Sequence, residues 1–207
     1  MYIPTMFEMK DWPEIERHIR NNPLATVVSR GNDFPIATHV PLELDSDESG
    51  RTTLTGHVAK ENPQWKLFET QPDVLAVFLS PIQHYISSSW YSKPNVPTWN
   101  YMSVHVFGKA RIVGEERLKE LLRKMTNYHE HISSHPITPE VLEKEIEKQI
   151  GGIVGIEIKI DKVEASFKMS QNRDDTDYAN IIRELERLDE YNAKMIAKKM
   201  SAMRRID

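Results

Sequence analysis

The hydrophobic positions change period several times along the chain, and each change marks an element. Ile15 and Ile19, four apart behind Asp11 and Pro13, predict a short helix over 11–22 that Asn21-Asn22-Pro23 stops. Residues 24–29 are apolar and β-branched, 30–33 read as a turn, and 35–44 predict the returning strand of a hairpin. A polar turn is expected at 45–50 and a third strand at 52–58. Asn62-Pro63 predicts the start of a short helix carrying Trp65, Leu67 and Phe68. The unbroken apolar run 74–79 predicts a central strand buried on both faces.

Alternation resumes over 102–113 as a strand, and Leu118, Leu121, Leu122 and Met125 then place an amphipathic helix over 115–128. Thr138-Pro139-Glu140 caps and opens a second helix that runs to residue 149. After Gly151-Gly152 come strands at 153–160 and 163–169, then one long helix over 177–202 carrying Ile181, Leu185, Ile196 and Met200. Strands with helices between them and a helical tail predict an α+β fold built on a small antiparallel barrel. With 207 residues the chain suits one main core, so a barrel domain is expected over 1–175 and a C-terminal helical tail over 176–207.

Composition narrows the chemistry. The absence of cysteine removes disulfides, thiolate metal sites and thiol nucleophiles, and makes a reducing cytoplasm the expected compartment. Met1-Tyr2-Ile3-Pro4 has no basic region followed by an apolar run, and no segment has the length to span a bilayer, so a soluble protein without a cleaved signal is expected. A net charge of −4 gives no global attraction to nucleic acid. A local patch exists in Lys194, Lys198, Lys199, Arg204 and Arg205, which reads either as a phosphate-contacting helix or as a solvated face. No helix-turn-helix or zinc-finger pattern accompanies it. In the cluster His129, His131 and His135, His131 and His135 could share a helical face and bind a metal, but Ser133, Ser134 and Pro136 interrupt the helix and no metal site is assigned. Walker, Rossmann, Gly-x-Ser-x-Gly and His-Glu-x-x-His patterns are all missing, which leaves hydrolytic and nucleoside triphosphate chemistry without support.

Three stretches carry candidate chemistry. The window 84–101 holds two of the four tryptophans, three of the seven tyrosines, two prolines and four serines, and is expected to be a loop that displays them. Trp90, Tyr91, Trp99 and Tyr101 either wall a flat heteroaromatic ligand or plug the end of the barrel; Ser87, Ser88, Ser89, Thr98 and Asn100 would need partners if buried, which a ligand supplies. In the second stretch, His57 to Trp65, Lys60 stands near a helix start where an ammonium and free N–H groups would hold phosphate together; an ordinary solvated lysine is the plainer reading. In the third, an apolar strand ends abruptly in Ser170-Gln171-Asn172-Arg173, which either meets the polar edge of a ligand or caps the final helix.

Seven segments together resemble the PaiB family of FMN-binding transcriptional regulators. They are Met1-Tyr2-Ile3-Pro4, Ala37-Thr38-His39-Val40-Pro41-Leu42, Gly56-His57-Val58-Ala59, Asn62-Pro63-Gln64-Trp65, Tyr85-Ile86-Ser87-Ser88-Ser89-Trp90-Tyr91, Val96-Pro97-Thr98-Trp99-Asn100-Tyr101 and Lys168-Met169-Ser170-Gln171-Asn172-Arg173. The resemblance implies an antiparallel FMN-binding split β-barrel with peripheral helices and a C-terminal helix, related to pyridoxamine phosphate oxidases and flavin reductases. It also implies a homodimer with FMN near the subunit interface, a DNA or regulatory protein partner, and negative regulation of sporulation and degradative protease synthesis. By the same resemblance the flavin-binding residues are His57, Lys60, Asn62 and Trp65; Ser87, Ser88, Ser89, Trp90 and Tyr91; Thr98, Trp99 and Asn100; and Ser170, Gln171, Asn172 and Arg173. No catalytic residue is assigned. Lys60 stands where Arg is common in the family, which replaces a bidentate fork by a point charge. A flavin-dependent oxidoreductase, or a dimeric scaffold with a vestigial flavin site, are the alternatives.

Overall fold

The computed structural model describes residues 1–46, 49 and 51–204. Its strands are β1 (Leu24–Ser29), β2 (Ile36–Pro41), β3 (Glu43–Ser46), β4 (Thr52–Ala59), β5 (Asp73–Leu79), β6 (His84–Ile86), β7 (Thr98–Ile112) and β8 (Ile153–Lys168). Its α-helices are α1 (Trp12–Asn21), α2 (Glu115–Glu130), α3 (Pro139–Gln149), α4 (Asp175–Arg187) and α5 (Tyr191–Met203). The chain divides into two compact units, one of Met1–His18, Leu79–His105 and Glu164–Asp207, the other of Ile19–Phe78 and Val106–Val163. No helix among the described residues is long and apolar enough to cross a membrane.

The second unit carries the sheet, in the order β2-β1-β5-β7-β8-β4-β3. The β1–β2, β1–β5, β3–β4 and β4–β8 pairs are antiparallel. The single strand expected at 35–44 is in fact two, on opposite edges of that order. Pro41 has no N–H with which to continue the ladder, and the N–H of the fully buried Leu42 goes instead to the Pro23 carbonyl at 2.8 Å. One residue therefore links the first and last strands of the sheet, which closes only if the sheet curls. Gly56 in β4 marks the close approach: a Cβ there would lie 2.5 Å from the Pro41 carbonyl oxygen.

Strand β5 alternates rather than being buried on both faces. Val74, Ala76 and Phe78 are buried while Leu75 and Val77 are half-buried. Outside the sheet, α2 buries Leu118 and Leu121, and α3 buries Leu142 and Ile146. Arg123 of α2 donates to Glu143 of α3 at 2.7 Å, and Arg117 and Lys124 both reach Asp45 of β3 at 2.6 Å. The Thr138 side chain caps α3 by accepting from Val141 N. Of the turn expected at 45–50, Asp45 and Ser46 belong to β3, while Asp47, Glu48 and Gly50 lie outside the described residues.

The first unit is helical around a short hairpin. β6 pairs antiparallel with the start of β7, His84 opposite Asn100 and Ile86 opposite Thr98, so the expected loop at 84–101 is bounded by strand at both ends. The two strands expected at 153–169 form the continuous β8. The helix expected over 177–202 breaks at Leu188, which turns extended. A straight helix of that length would span about 39 Å and hold its two apolar halves apart. The break folds α5 back on α4, and Ile181, Leu185, Ile196 and Met200 join one core with Ile86, Tyr91 and Met169.

Tyr178 anchors that core. Its side chain is fully buried, its hydroxyl donates to the Met200 carbonyl at 2.9 Å, and burial pushes its phenol up to about 12 against the opposing charge of Arg204. Removing the hydroxyl by Tyr178→Phe should cost about 1 kcal/mol, read by chemical denaturation. The folded value lies above the unfolded one of about 10, so the neutral phenol's contribution is complete below pH ~10 and is lost as pH rises towards ~12. Wild type should lose more stability than Tyr178→Phe across that window.

Candidate functional site

In the second unit, the residues from His57 to Trp65 form a tight polar corner at the end of β4. His57 is half-buried opposite Gly155, and burial pushes its imidazole below the usual value, which keeps it neutral near pH 7. Lys60 lies exposed in the turn, its N–H donating to the Gly152 carbonyl at 2.9 Å and its carbonyl accepting the Trp65 indole N–H at 3.0 Å. The helix expected after it is a 3₁₀ segment, Pro63–Glu69. Asn62 opens that segment: its Oδ1 accepts from Gln64 N at 2.9 Å and its amide donates to Thr38 Oγ1 at 3.0 Å. Gln64, not singled out by the sequence, is the buried link, donating to Val27 O at 3.0 Å and Ser29 Oγ at 2.8 Å.

In the first unit the aromatic window separates into core and surface. Tyr91 is buried and Trp90 packs on the same core, stacked with His84 at 6.4 Å between centroids. Trp99 remains 52% exposed and meets the exposed Tyr85 edge-on at 6.1 Å. Tyr101 is half-buried. Ser87 caps a 3₁₀ turn at Ser88–Trp90 and bonds Ser89 Oγ at 2.8 Å; Ser88 and Ser89 are exposed. Asn100 is fully buried, accepting from Ser170 Oγ at 3.0 Å and donating to the Met200 sulfur at 3.4 Å.

The run after β8 turns back on itself. Ser170 adopts φ 59°, a left-handed conformation unusual for a residue with a Cβ. Gln171 closes the turn, accepting from Met169 N at 2.6 Å and donating to the Phe167 carbonyl, and Asn172 is exposed. The cap of α4 is Asp174, which accepts from Asp177 N at 2.9 Å. Asp177 in turn accepts from Ser92 N at 2.6 Å; that bond, with help from Arg173 and Lys93, holds its carboxyl below the usual range.

Arg173 and Lys168 form the most unusual feature of this unit. Arg173 lies over the Tyr91 ring at 4.5 Å and donates to its hydroxyl at 3.4 Å, yet its Nε–H is buried with no partner. Lys168 donates to Thr98 Oγ1 and lies 5.7 Å over the Phe7 ring. Burial, and then the positive charge of Arg173, push its ammonium below the usual lysine value. No carboxylate among the described residues pairs with it. Two neighbouring cations, an orphaned Nε–H and an ammonium with no carboxylate bonded to it make a corner suited to an anion, with Asp177 as an acidic group close to Arg173. Sequence reasoning had Arg173 and Thr98 but passed over Lys168, whose signal was a lone charge inside an otherwise apolar strand end.

Most of the other charged candidates are engaged within the fold, while Lys198 lies exposed on α5. In the tail, Lys194 pairs with Asp189 at 2.8 Å, Lys199 with Glu14 at 2.9 Å, and Arg204 with Asp175; Arg205 lies outside the described residues. His129 stands 3.2 Å from Glu43, His131 turns to the Tyr128 carbonyl, and His135 meets Ser134 Oγ at 3.0 Å. Among the described residues no three potential metal ligands converge.

Known proteins share these features at two levels. The solved structures of an FAD and heme binding protein from Mycobacterium smegmatis (TM-score 0.59, 14% identity, 83% of this chain and 78% of that one) and of the flavocytochrome Anf3 from Azotobacter vinelandii (TM-score 0.53, 18% identity, 85% and 80%) share its fold, the antiparallel split barrel. In sequence, the "Protease synthase and sporulation protein PAI 2" of Bacillus subtilis is 42% identical over 201 residues, 97% of this chain and 96% of that protein. A family model described as "Putative FMN-binding domain" matches residues 1–162. The ordered motifs, the split barrel and likeness along nearly the whole length agree: the chain belongs to the PaiB family of FMN-binding-domain proteins.

Proposed function

We propose that this chain binds FMN and, as a cytoplasmic homodimer, regulates protease synthesis and sporulation, the processes named in its Bacillus subtilis relative. The observation that carries the flavin reading is the corner of Lys168 and Arg173, with its buried, unpartnered Nε–H, in a unit that also leaves the Trp99 and Tyr85 rings exposed. FMN presents a planar ring system and an anionic phosphate, and these groups fit both. Lys168 and Arg173 would hold the anionic group, Thr98 would orient the Lys168 ammonium, and Trp99 would offer a ring face. In the second unit the exposed Lys60, beside the neutral His57, is a separate anion anchor inside the span matched by the family model; Lys168 and Arg173 lie beyond that span. When bound, FMN supplies one- or two-electron transfer at its ring.

Absorbance of the purified protein with added FMN, followed by gel filtration, tests the reading. Flavin bands should travel with a species of twice the 24.1 kDa chain mass. A protein that stays colourless in excess FMN would overturn it. Losing one charge-assisted hydrogen bond costs about 1.5–3 kcal/mol, so Arg173→Ala and Lys168→Ala should each weaken FMN binding by roughly 10- to 100-fold. The same change from Lys60→Ala alone would move the phosphate to the β4 corner.

The lowered Lys168 value also sets a pH dependence. An ammonium is needed to hold the anion, so FMN affinity should fall as pH rises through a range below the ordinary lysine value of about 10.5, and the fall should vanish in Lys168→Ala. Fluorescence titrations across alkaline pH measure it. For the regulatory half, expression in a Bacillus subtilis strain lacking PAI 2 should lower extracellular protease output. Failure to do so while FMN binds would separate the two halves of the proposal.

A further inference from the structure

The second unit also contains a cavity of about 80 Å³ between the β2–β3 link and α2. Leu42 and Leu44 contribute its apolar floor and the Tyr128 ring one wall; Glu43, His129, Lys124 and Arg20 supply its polar groups. Glu43 is the anomaly. Its Oε1 is buried and accepts no hydrogen bond. His129 Nε2 stands 3.2 Å away without forming a hydrogen bond, and Lys124 pairs with Asp45 at 2.6 Å. A bare, acceptor-only oxygen in a largely apolar cavity calls for a donor. Water could reach it, but this volume exceeds that of one water and the apolar floor gives further waters few partners.

We infer that this cavity binds a small primary amine in its ammonium form, an N–H donated to Glu43 Oε1 and the alkyl chain laid on Leu42 and Leu44. The charge around the cavity agrees with a cation. Lys124 is held by Asp45, which also receives Arg117, so the open acceptor in the cavity is Glu43; an ammonium can donate to it, whereas a carboxylate would face its unpartnered oxygen. The site is separate from the residues placed in the flavin reading and does not depend on it.

Amide NMR of the full chain with n-butylammonium chloride, and in parallel with sodium butyrate, tests the inference. The amine should give saturable shifts at Leu44, Tyr128 and His129, with millimolar affinity as fits so few heavy atoms. Butyrate should give none. Glu43→Gln keeps the shape and removes the charge, and should weaken amine binding at least tenfold. Equal responses to amine and butyrate, no saturation by the amine, or unchanged affinity in folded Glu43→Gln would each overturn the assignment.

Discussion

The sheet depends on one residue. Leu42 alone separates β2 from β3, yet these strands stand at opposite ends of the strand order, so the sheet between them has no choice but to curl. The local chemistry enforces the handover. Pro41 ends one ladder for want of an N–H, Leu42 gives its own N–H to Pro23, and its side chain is buried without residual exposure. Gly56 is the counterpart on β4, where a side chain would strike the Pro41 carbonyl. The same link sets the position of β3 and, through it, of α2. Asp45 of β3 receives Arg117 and Lys124, which seats that helix, and the amine cavity lies in the angle so formed.

In the first unit, polar side chains are used as structure. Asn100 joins the start of β7 to the turn after β8 and to α5 through Ser170 and Met200, and Asp177 ties α4 to the aromatic segment through Ser92. Asn100 and Ser170, both read from the sequence as candidate ligand contacts, bond each other within this unit. Among the described residues four buried side-chain atoms lack a partner, Thr53 Oγ1, Gln71 Oε1, the Arg173 Nε–H and Glu43 Oε1, and the last two belong to charged groups.

Periodicity showed the helices well where an apolar stripe and a cap coincide, as at Thr138-Pro139, and showed β1 to the residue. It failed where tertiary packing decides. Nothing local says that 35–44 must split across two sheet edges, because the cause is a carbonyl at Pro23 and a glycine at 56. The break at Leu188 is equally hidden, since leucine is a good helix former and the reason to turn is the core that Ile196 and Met200 share with Ile181. For the candidate site, the density of aromatic and hydroxyl groups in 84–101 marked a segment, but not which rings face inward; the core around α4 and α5 takes Tyr91 and leaves Trp99 exposed. Lys168 escaped because what sets it apart, a second cation in Arg173, lies five residues away across a turn.

Ser170 shows what that turn asks of the sequence. Its left-handed backbone costs a residue with a Cβ roughly 1–2 kcal/mol that glycine would be spared. A glycine, however, would leave the buried Asn100 oxygen without its donor, at about 1–3 kcal/mol. The two terms nearly cancel in stability and differ wholly in specificity: the hydroxyl fixes one conformation of the chain just before Arg173, where a glycine hinge would have allowed several. Serine at this position holds the guanidinium in one place by accepting backbone strain.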